Sequence, residues 1–236
     1  MLAAGAFLSQ GMQREVRMLP SERQKVLDEN AHWQAEIIEA FSICPFAKHC
    51  RENGRLHREV LEATAEALPD ALSAMIVAMH RRTDPVTTIP EIALALCPNA
   101  QLDARAFERL VRQCGDRADA LVREDGLDPQ YYVVAFHPEM AFSDADPYKL
   151  VGFWRRSPHP TVQFVHIASL DRIRGTQVPP KYVDPTDQAA VQALLGQPVS
   201  GDLADRISLA NWRTYHAQPE VFLQKSAQLL TTSNDS

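Results

Sequence analysis

Apolar residues recur at helical spacing most plainly late in the first half of the chain. Phe107, Leu110, Val111, Cys114, Ala118, Leu121 and Val122 line one face of a 3.6-residue repeat. Asp103 before them is a good N-cap and Gly126 after them a good stop, so a helix is predicted over about 103–125. A second helical stretch begins after Pro20, where Ser21 and Gln24 have capping-box spacing. It carries Trp33, Ile37, Phe41 and Cys44, at offsets of 0, 4, 8 and 11, on one face. Pro45 has no N–H and cannot continue that helix. A break is predicted at Cys44, with Pro45 opening a short helical segment that Gly54 closes. A third helix is read over 65–81, with Leu72, Met75, Ile76 and Met79 as its apolar positions and Pro69 near its start.

Between these helices lie short β-rich runs at 56–63, 87–96, 131–136 and 161–167. Pro90 interrupts the second, which suits an edge strand or a bulge. The third runs straight into His137–Pro138. Alternation of helix and strand predicts a mixed fold, α+β or α/β: a small sheet of βαβ type covered by helices, with a ferredoxin-like arrangement as one version. Gly175, Pro179, Pro180 and Pro185 mark a loop, and helices are read beyond it at 186–195, 203–216 and 219–230. The chain divides into an N-terminal tail (1–19), a mixed α/β domain (20–174) and a proline-containing loop with a helical C-terminal extension (175–236).

Composition narrows the function classes. The 236 residues are 45% hydrophobic and 23% charged, enough for a sizeable core. A net charge of −6 argues against a general nucleic-acid binder, although a local basic patch could hold an anion. The mildly apolar start is followed at once by Gln10, Gln13, Arg14, Glu15 and Arg17 and lacks a basic leader, so neither a signal peptide nor a membrane span is expected. Cys44, Cys50, Cys97 and Cys114 show no disulfide-scaffold spacing. They read as reduced thiols in a cytoplasmic protein. Oligomeric state is not legible.

Three segments could carry chemistry. Cys44, as N-cap of a helix opened by Pro45, would face unpaired N–H groups and the positive end of the helix dipole, which favour thiolate. The alternative is a small buried residue packed beside Phe41 and Phe46. His137, at the C-terminal end of a buried strand, is placed where open sheets commonly bind ligands, and its ring suits proton transfer or metal ligation. It could equally just cap the strand or bond a loop carbonyl. Arg155-Arg156-Ser157, stiffened by Pro158 and Pro160, offers an arginine fork and a hydroxyl for a carboxylate or phosphate. A solvated turn paired with Asp144 or Asp146 is the plainer alternative. His159 and His166 could join His137 around a metal, though no compact motif supports it. His32, His57, His80 and His216 read as surface residues. No nucleotide-cofactor motif and no serine-hydrolase elbow is present.

The blocks Ile43-Cys44-Pro45-Phe46-Ala47, Ala135-Phe136-His137-Pro138 and Arg156-Ser157-Pro158-His159-Pro160 together resemble an uncharacterised bacterial family, domain of unknown function 1415. The similarity spans roughly 30–172, with a weaker echo near 207–215. It implies that Cys44, His137, Arg156 and Ser157 belong to a shared pattern and implies no activity. The chain departs from that pattern at His159, where an aromatic residue is usual, at His166, near a usual arginine, and in 175–200, which reads as an insertion.

Three functions follow as expectations. The first is a small-molecule enzyme with Cys44 as nucleophile or redox thiol, His137 as acid/base and Arg155, Arg156 and Ser157 as clamp for a small anionic molecule. The second is a metal- or haem-dependent oxidoreductase using His137 with His159, His166 or Cys44. The third is a non-catalytic binding protein. The first two require distant side chains to meet in one cleft.

Overall fold

A computed structural model describes residues 18–44, 46–81, 90–169 and 203–231. Its elements follow the predicted order closely. Helix α1 (Pro20–Trp33) starts one residue before Ser21. Pro20 is its first helical residue, Leu19 the N-cap, and the Glu22 carboxylate accepts from the Leu19 N–H at 2.7 Å. The helix then widens into a π-helical turn, Gln34–Glu39. There the Ala40 N–H reaches the Ala35 carbonyl at 3.0 Å, and the Gln34 amide donates to Glu39 at 2.7 Å. Residues five apart share a face in that geometry, so the side-chain pair and the backbone widening support each other. Trp33, Ile37, Phe41 and Cys44 still pack into one apolar cluster, as their spacing predicts.

Helix α2 (Ala47–Glu52) is shorter than expected, with Phe46 rather than Cys44 as its N-cap, and Gly54 lies just beyond its end. Strand β1 (Leu56–Val60), helix α3 (Leu68–His80) and strand β2 (Ile92–Leu96) make a βαβ unit whose strands pair in parallel. The long helix α4 (Ala104–Glu124) is capped as the sequence indicates: the Asp103 carboxylate accepts from the Ala106 N–H at 2.8 Å, and Gly126 turns the chain at φ 76°. Strand β3 (Tyr131–Phe136), a short helix α5 (Val151–Trp154) absent from the sequence reading, and strand β4 (Thr161–His166) complete the sheet. Helices α6 (Leu203–Ala217) and α7 (Pro219–Thr231) form the predicted C-terminal helical part. The helix read over 186–195 lies outside the described residues.

The sheet order is β1-β2-β4-β3, with β4 antiparallel to both neighbours. This is an α+β fold. It is not ferredoxin-like, because the two strands of the βαβ unit are adjacent rather than split by a third. Strand β2 is central, not an edge; Pro90 precedes the strand and costs it no ladder hydrogen bond.

Strand alternation sends side chains to two faces. Ala93, Ala95, Tyr131, Ala135, Val162 and Phe164 meet α3 and α4 in a dense core with Leu72, Ile76, Phe107 and Val111. Leu56, Leu94, Val134, Phe136, Thr161 and Gln163 point the other way, toward α1, the π turn and α2. Among the described residues no helix is long and apolar enough to cross a membrane.

Candidate ligand-binding cavity

The second face is incompletely filled. Between it and the helices lies a cavity of about 310 Å³, within the size range of small-molecule sites. Leu94, Val134, Phe136, Thr161 and Gln163 form its floor. Asn30 and Trp33 of α1, Gln34 and Ile38 of the π turn, Cys44, and Ala47 of α2 form its roof. Val151, Trp154 and Arg155 and, from α6, Ile207 and Asn211 complete the lining. Two unusual backbone features border the roof. One is the π turn itself; the other is Ser42, which holds φ 54° without being glycine. Such conformations cluster at functional sites.

Polar groups enter the apolar lining at its edges. Arg58 of β1 donates to the Asn30 side-chain oxygen at 2.9 Å and to the Gln34 side-chain oxygen. Its guanidinium is held below its ordinary pKa by burial, which the Glu39 carboxylate opposes. Glu39 in turn receives a forked contact from Arg51, at 2.8–3.1 Å. Because Arg58 can only donate, the oxygen of Asn30 must face it. The Asn30 Nδ2 group therefore points elsewhere, and it is a fully buried donor with no partner. At the opposite side, the Arg155 backbone carbonyl accepts from the His137 N–H at 2.9 Å, beside the end of β3. Arg155 lines the cavity and also a smaller groove between β3 and α4. Burial lowers its pKa, with Glu108 opposing from a distance, and among the described residues no carboxylate lies within ion-pair distance. Helix α5 seats this arginine by close contact: a Cβ on Gly152 would sit 1.9 Å from the Ala141 carbonyl oxygen.

The sequence candidates separate. Cys44 lines the cavity. As it is not the N-cap of α2, burial dominates and pushes its thiol above the ordinary value, although the N–H groups of Phe46 and Ala47 still pull it down. His137 lies on the other face of the sheet, against Phe107 of α4, with ring centroids 5.9 Å apart. Its Nε2–H donates to the Leu102 carbonyl at 2.9 Å and its Nδ1 accepts from the Glu139 N–H at 3.1 Å. Both ring nitrogens are thus engaged, and burial holds the ring below its ordinary pKa. A direct Cys44–His137 pair is excluded by the sheet that stands between them.

The remaining candidates also find structural partners. Arg156 donates through Nε to the Met140 carbonyl at 2.9 Å and lies 4.7 Å over the Phe142 ring, not against Asp144 or Asp146. Ser157 is fully buried and donates to the His159 carbonyl at 2.5 Å. Of the anticipated clamp, Arg155 alone faces the cavity. The histidine metal site does not assemble. His159 pairs with Glu29 of α1 at 2.7 Å, and His166 contacts Ser169 at 3.0 Å. The antiparallel register sets His166 opposite Tyr131 while His137 follows Phe136, so the two rings stand at opposite ends of the strands, roughly 20 Å apart at 3.4 Å per residue. Among the described residues no group of three or more potential ligands could hold a metal ion. Cys50 and Cys97 are buried thiols pushed up to about 12, mainly by desolvation. His80 is a correction too. It is buried, not a surface residue, with Nδ1 accepting from the Gln130 N–H at 2.9 Å and Nε2 3.2 Å from Asp119.

Asn30, Gln34 and Asn211 escaped the sequence reading. Asn30 could have been found, since it falls between Val26 and Trp33 on the apolar stripe of α1. A polar residue in such a stripe must be satisfied by a partner or a ligand.

The family model described as protein of unknown function (DUF1415) matches residues 25–194. The match runs further in both directions than the 30–172 core of the resemblance. No curated protein and no solved structure matches the chain.

Proposed function

We propose that this chain, which belongs to the DUF1415 family, binds a small organic anion with an apolar body in the cavity between the sheet and helices α1, α2 and α6. The observation that carries the reading is Arg155, a half-buried residue with no ion-pair partner among the described residues, in the lining of a largely apolar chamber. A half-buried cation without a counter-ion carries a desolvation cost, and a ligand anion would relieve it while the apolar lining takes up the remainder of the molecule. The described lining carries no carboxylate and no imidazole, and its one thiol is held in the neutral form. Binding therefore fits these groups better than acid–base or nucleophilic chemistry.

Trp33 and Trp154 line the cavity, so their emission reports occupancy. Decanoate is expected to bind saturably and to shift the tryptophan emission. Arg155→Gln should weaken decanoate by about 10- to 100-fold, the value of a hydrogen bond to a charged group, while leaving decanol binding unchanged. Equal loss for both ligands, or no decanoate binding at all, would overturn the reading.

A further inference from the structure

The middle of the cavity floor carries a glutamine where an apolar side chain would pack better. Gln163 lies on β4, an inner strand, opposite Leu94 of β2 on one side and Val134 of β3 on the other. Its neighbours in the strand, Val162 and Phe164, point to the closed face and are fully buried. Gln163 therefore points into the cavity, where it is half-buried. The other amide and hydroxyl side chains of the lining are committed to the protein. Gln34 accepts from Arg58 and donates to Glu39, and Asn30 accepts from Arg58. The Thr161 hydroxyl donates to the His159 carbonyl at 2.8 Å, and the Asn211 amide donates to the Ile43 carbonyl at 3.1 Å. Gln163 is the exception: its amide makes no hydrogen bond to any described residue.

That exception constrains the ligand. An amide at the wall of an open cavity is served by water, and a ligand body lying over it must replace those hydrogen bonds. A purely aliphatic body gives nothing back and strands the amide. An acceptor alone, such as an ester, satisfies the glutamine N–H and leaves its oxygen unpaired. A carboxamide offers an acceptor oxygen and a donor N–H side by side, the complement of the glutamine amide. Given that the cavity is a binding site for an anion, we infer that its ligand is an organic anion carrying a carboxamide, with the anion paired to Arg155 and the carboxamide to Gln163. Gln163 is then the residue that sets specificity, because it favours such a ligand and penalises a plain hydrocarbon chain at the same place. The apolar side chains around it take up the hydrocarbon that joins the two groups.

Length-matched probes, titrated into the full chain and read by tryptophan emission, test the assignment. The monoamides of adipic, suberic and sebacic acids are compared with hexanoate, octanoate and decanoate. At the length that spans Arg155 and Gln163, the monoamide should bind about tenfold tighter than its plain acid, as two neutral hydrogen bonds would give. Gln163→Met keeps the length of the side chain and removes the amide. It should abolish the advantage of the monoamide. It should also tighten decanoate about fivefold, because no amide is then stranded beneath the chain. A damaged fold would weaken every probe together, so changes of opposite sign report recognition. If decanoate binds and no monoamide gains on its plain acid, or if the gain survives in Gln163→Met, the carboxamide assignment is wrong and the anion site stands. Decanoate binding no tighter in Gln163→Met than in the native chain would overturn the assignment equally. Failure of every probe to bind would overturn both the inference and the reading beneath it.

Discussion

The two faces of the sheet are built from the same strands and have been finished differently. Toward α3 and α4, small side chains of β2 and β3 let large helix residues approach, and Phe107, Leu72 and Ile76 are fully buried there. The buried imidazoles of this face are His137, with a partner for each ring nitrogen, and His80, whose Nδ1 accepts from the Gln130 N–H while Nε2, 3.2 Å from Asp119, makes no hydrogen bond. Toward α1 and α2 the strands carry larger apolar residues together with Thr161 and Gln163. The covering helix is widened into a π turn, and among the described residues the Asn30 Nδ2 group has no hydrogen-bond partner and Arg155 no ion pair. Full packing maximises dispersion and apolar burial. A chamber with unmet donors forgoes part of that stability, which is expected of a surface reserved for a ligand.

The contrast is sharpest in core truncations. Phe107→Ala should remove about 3–5 kcal/mol, because the closed face cannot collapse around the void. Val134→Ala, on the wall of the cavity, should cost about 1 kcal/mol or less, since that side chain already lacks neighbours on one side. Denaturant midpoints of the two variants measure the difference. Similar losses would mean that both faces are equally packed and that the cavity is not a real void.

Gly152→Ala tests the seating of the open face. The new methyl group would meet the Ala141 carbonyl at 1.9 Å, and backbone on both sides leaves little room to yield. A loss of about 1–3 kcal/mol is expected from such overpacking. Because α5 leads directly into Arg155, decanoate affinity should fall together with stability. A variant that loses stability and keeps full affinity would show that Arg155 is positioned independently of α5.

Much of the closed face could be read from the sequence. The α4 stripe, its Asp103 cap and the Gly126 stop are local signals, and they appear where expected. The strand 131–136 was equally legible, its bounds set by an apolar run and by Pro138. The open face was not. Which side of the sheet His137 takes depends on register, and a shift of one residue in β3 would have carried it into the cavity. The Cys44 cap failed because α2 begins at Ala47 with Phe46 as its N-cap, and local propensity does not encode that detail. Arg155 and Arg156 are neighbours in sequence, yet one faces the cavity and the other lies over Phe142. The α5 turn that leads into them is four residues long and has no periodic signature.

Acid should strike the closed face. His137 and His80 are both held below the ordinary imidazole value of 6.5, each mainly by burial. A depressed imidazole means that the folded state resists the proton more than the unfolded chain does. Its stabilising contribution is therefore complete above the unfolded value, and it is lost as pH falls below 6.5 toward the lower folded values. Denaturant midpoints at about pH 8 and about pH 5 should differ by about 1 kcal/mol or more. His137→Gln should flatten part of that slope and leave the His80 share. An unchanged slope in His137→Gln would assign the whole effect to His80 or to groups outside this face.

The smallest expected effect concerns Cys44, which belongs to the open face and tests whether that face is accessible. Burial raises the thiol above its ordinary value, and the nearby N–H groups of Phe46 and Ala47 only partly offset this. Thiolate is the reactive form, so iodoacetamide at neutral pH should alkylate Cys44 more slowly than a free cysteine. The reaction should still proceed in the folded protein, because the thiol lines a chamber that a small reagent can enter. Cys97 and Cys114, sealed in the closed face, should remain unmodified over the same interval. Decanoate should slow the Cys44 reaction further by occupying the chamber, without affecting the other cysteines. Mass spectrometry of the alkylated sites distinguishes the outcomes. Alkylation of Cys44 at or above the free-thiol rate would show that its N–H neighbours outweigh burial, and would restore the case for a reactive cysteine on the open face.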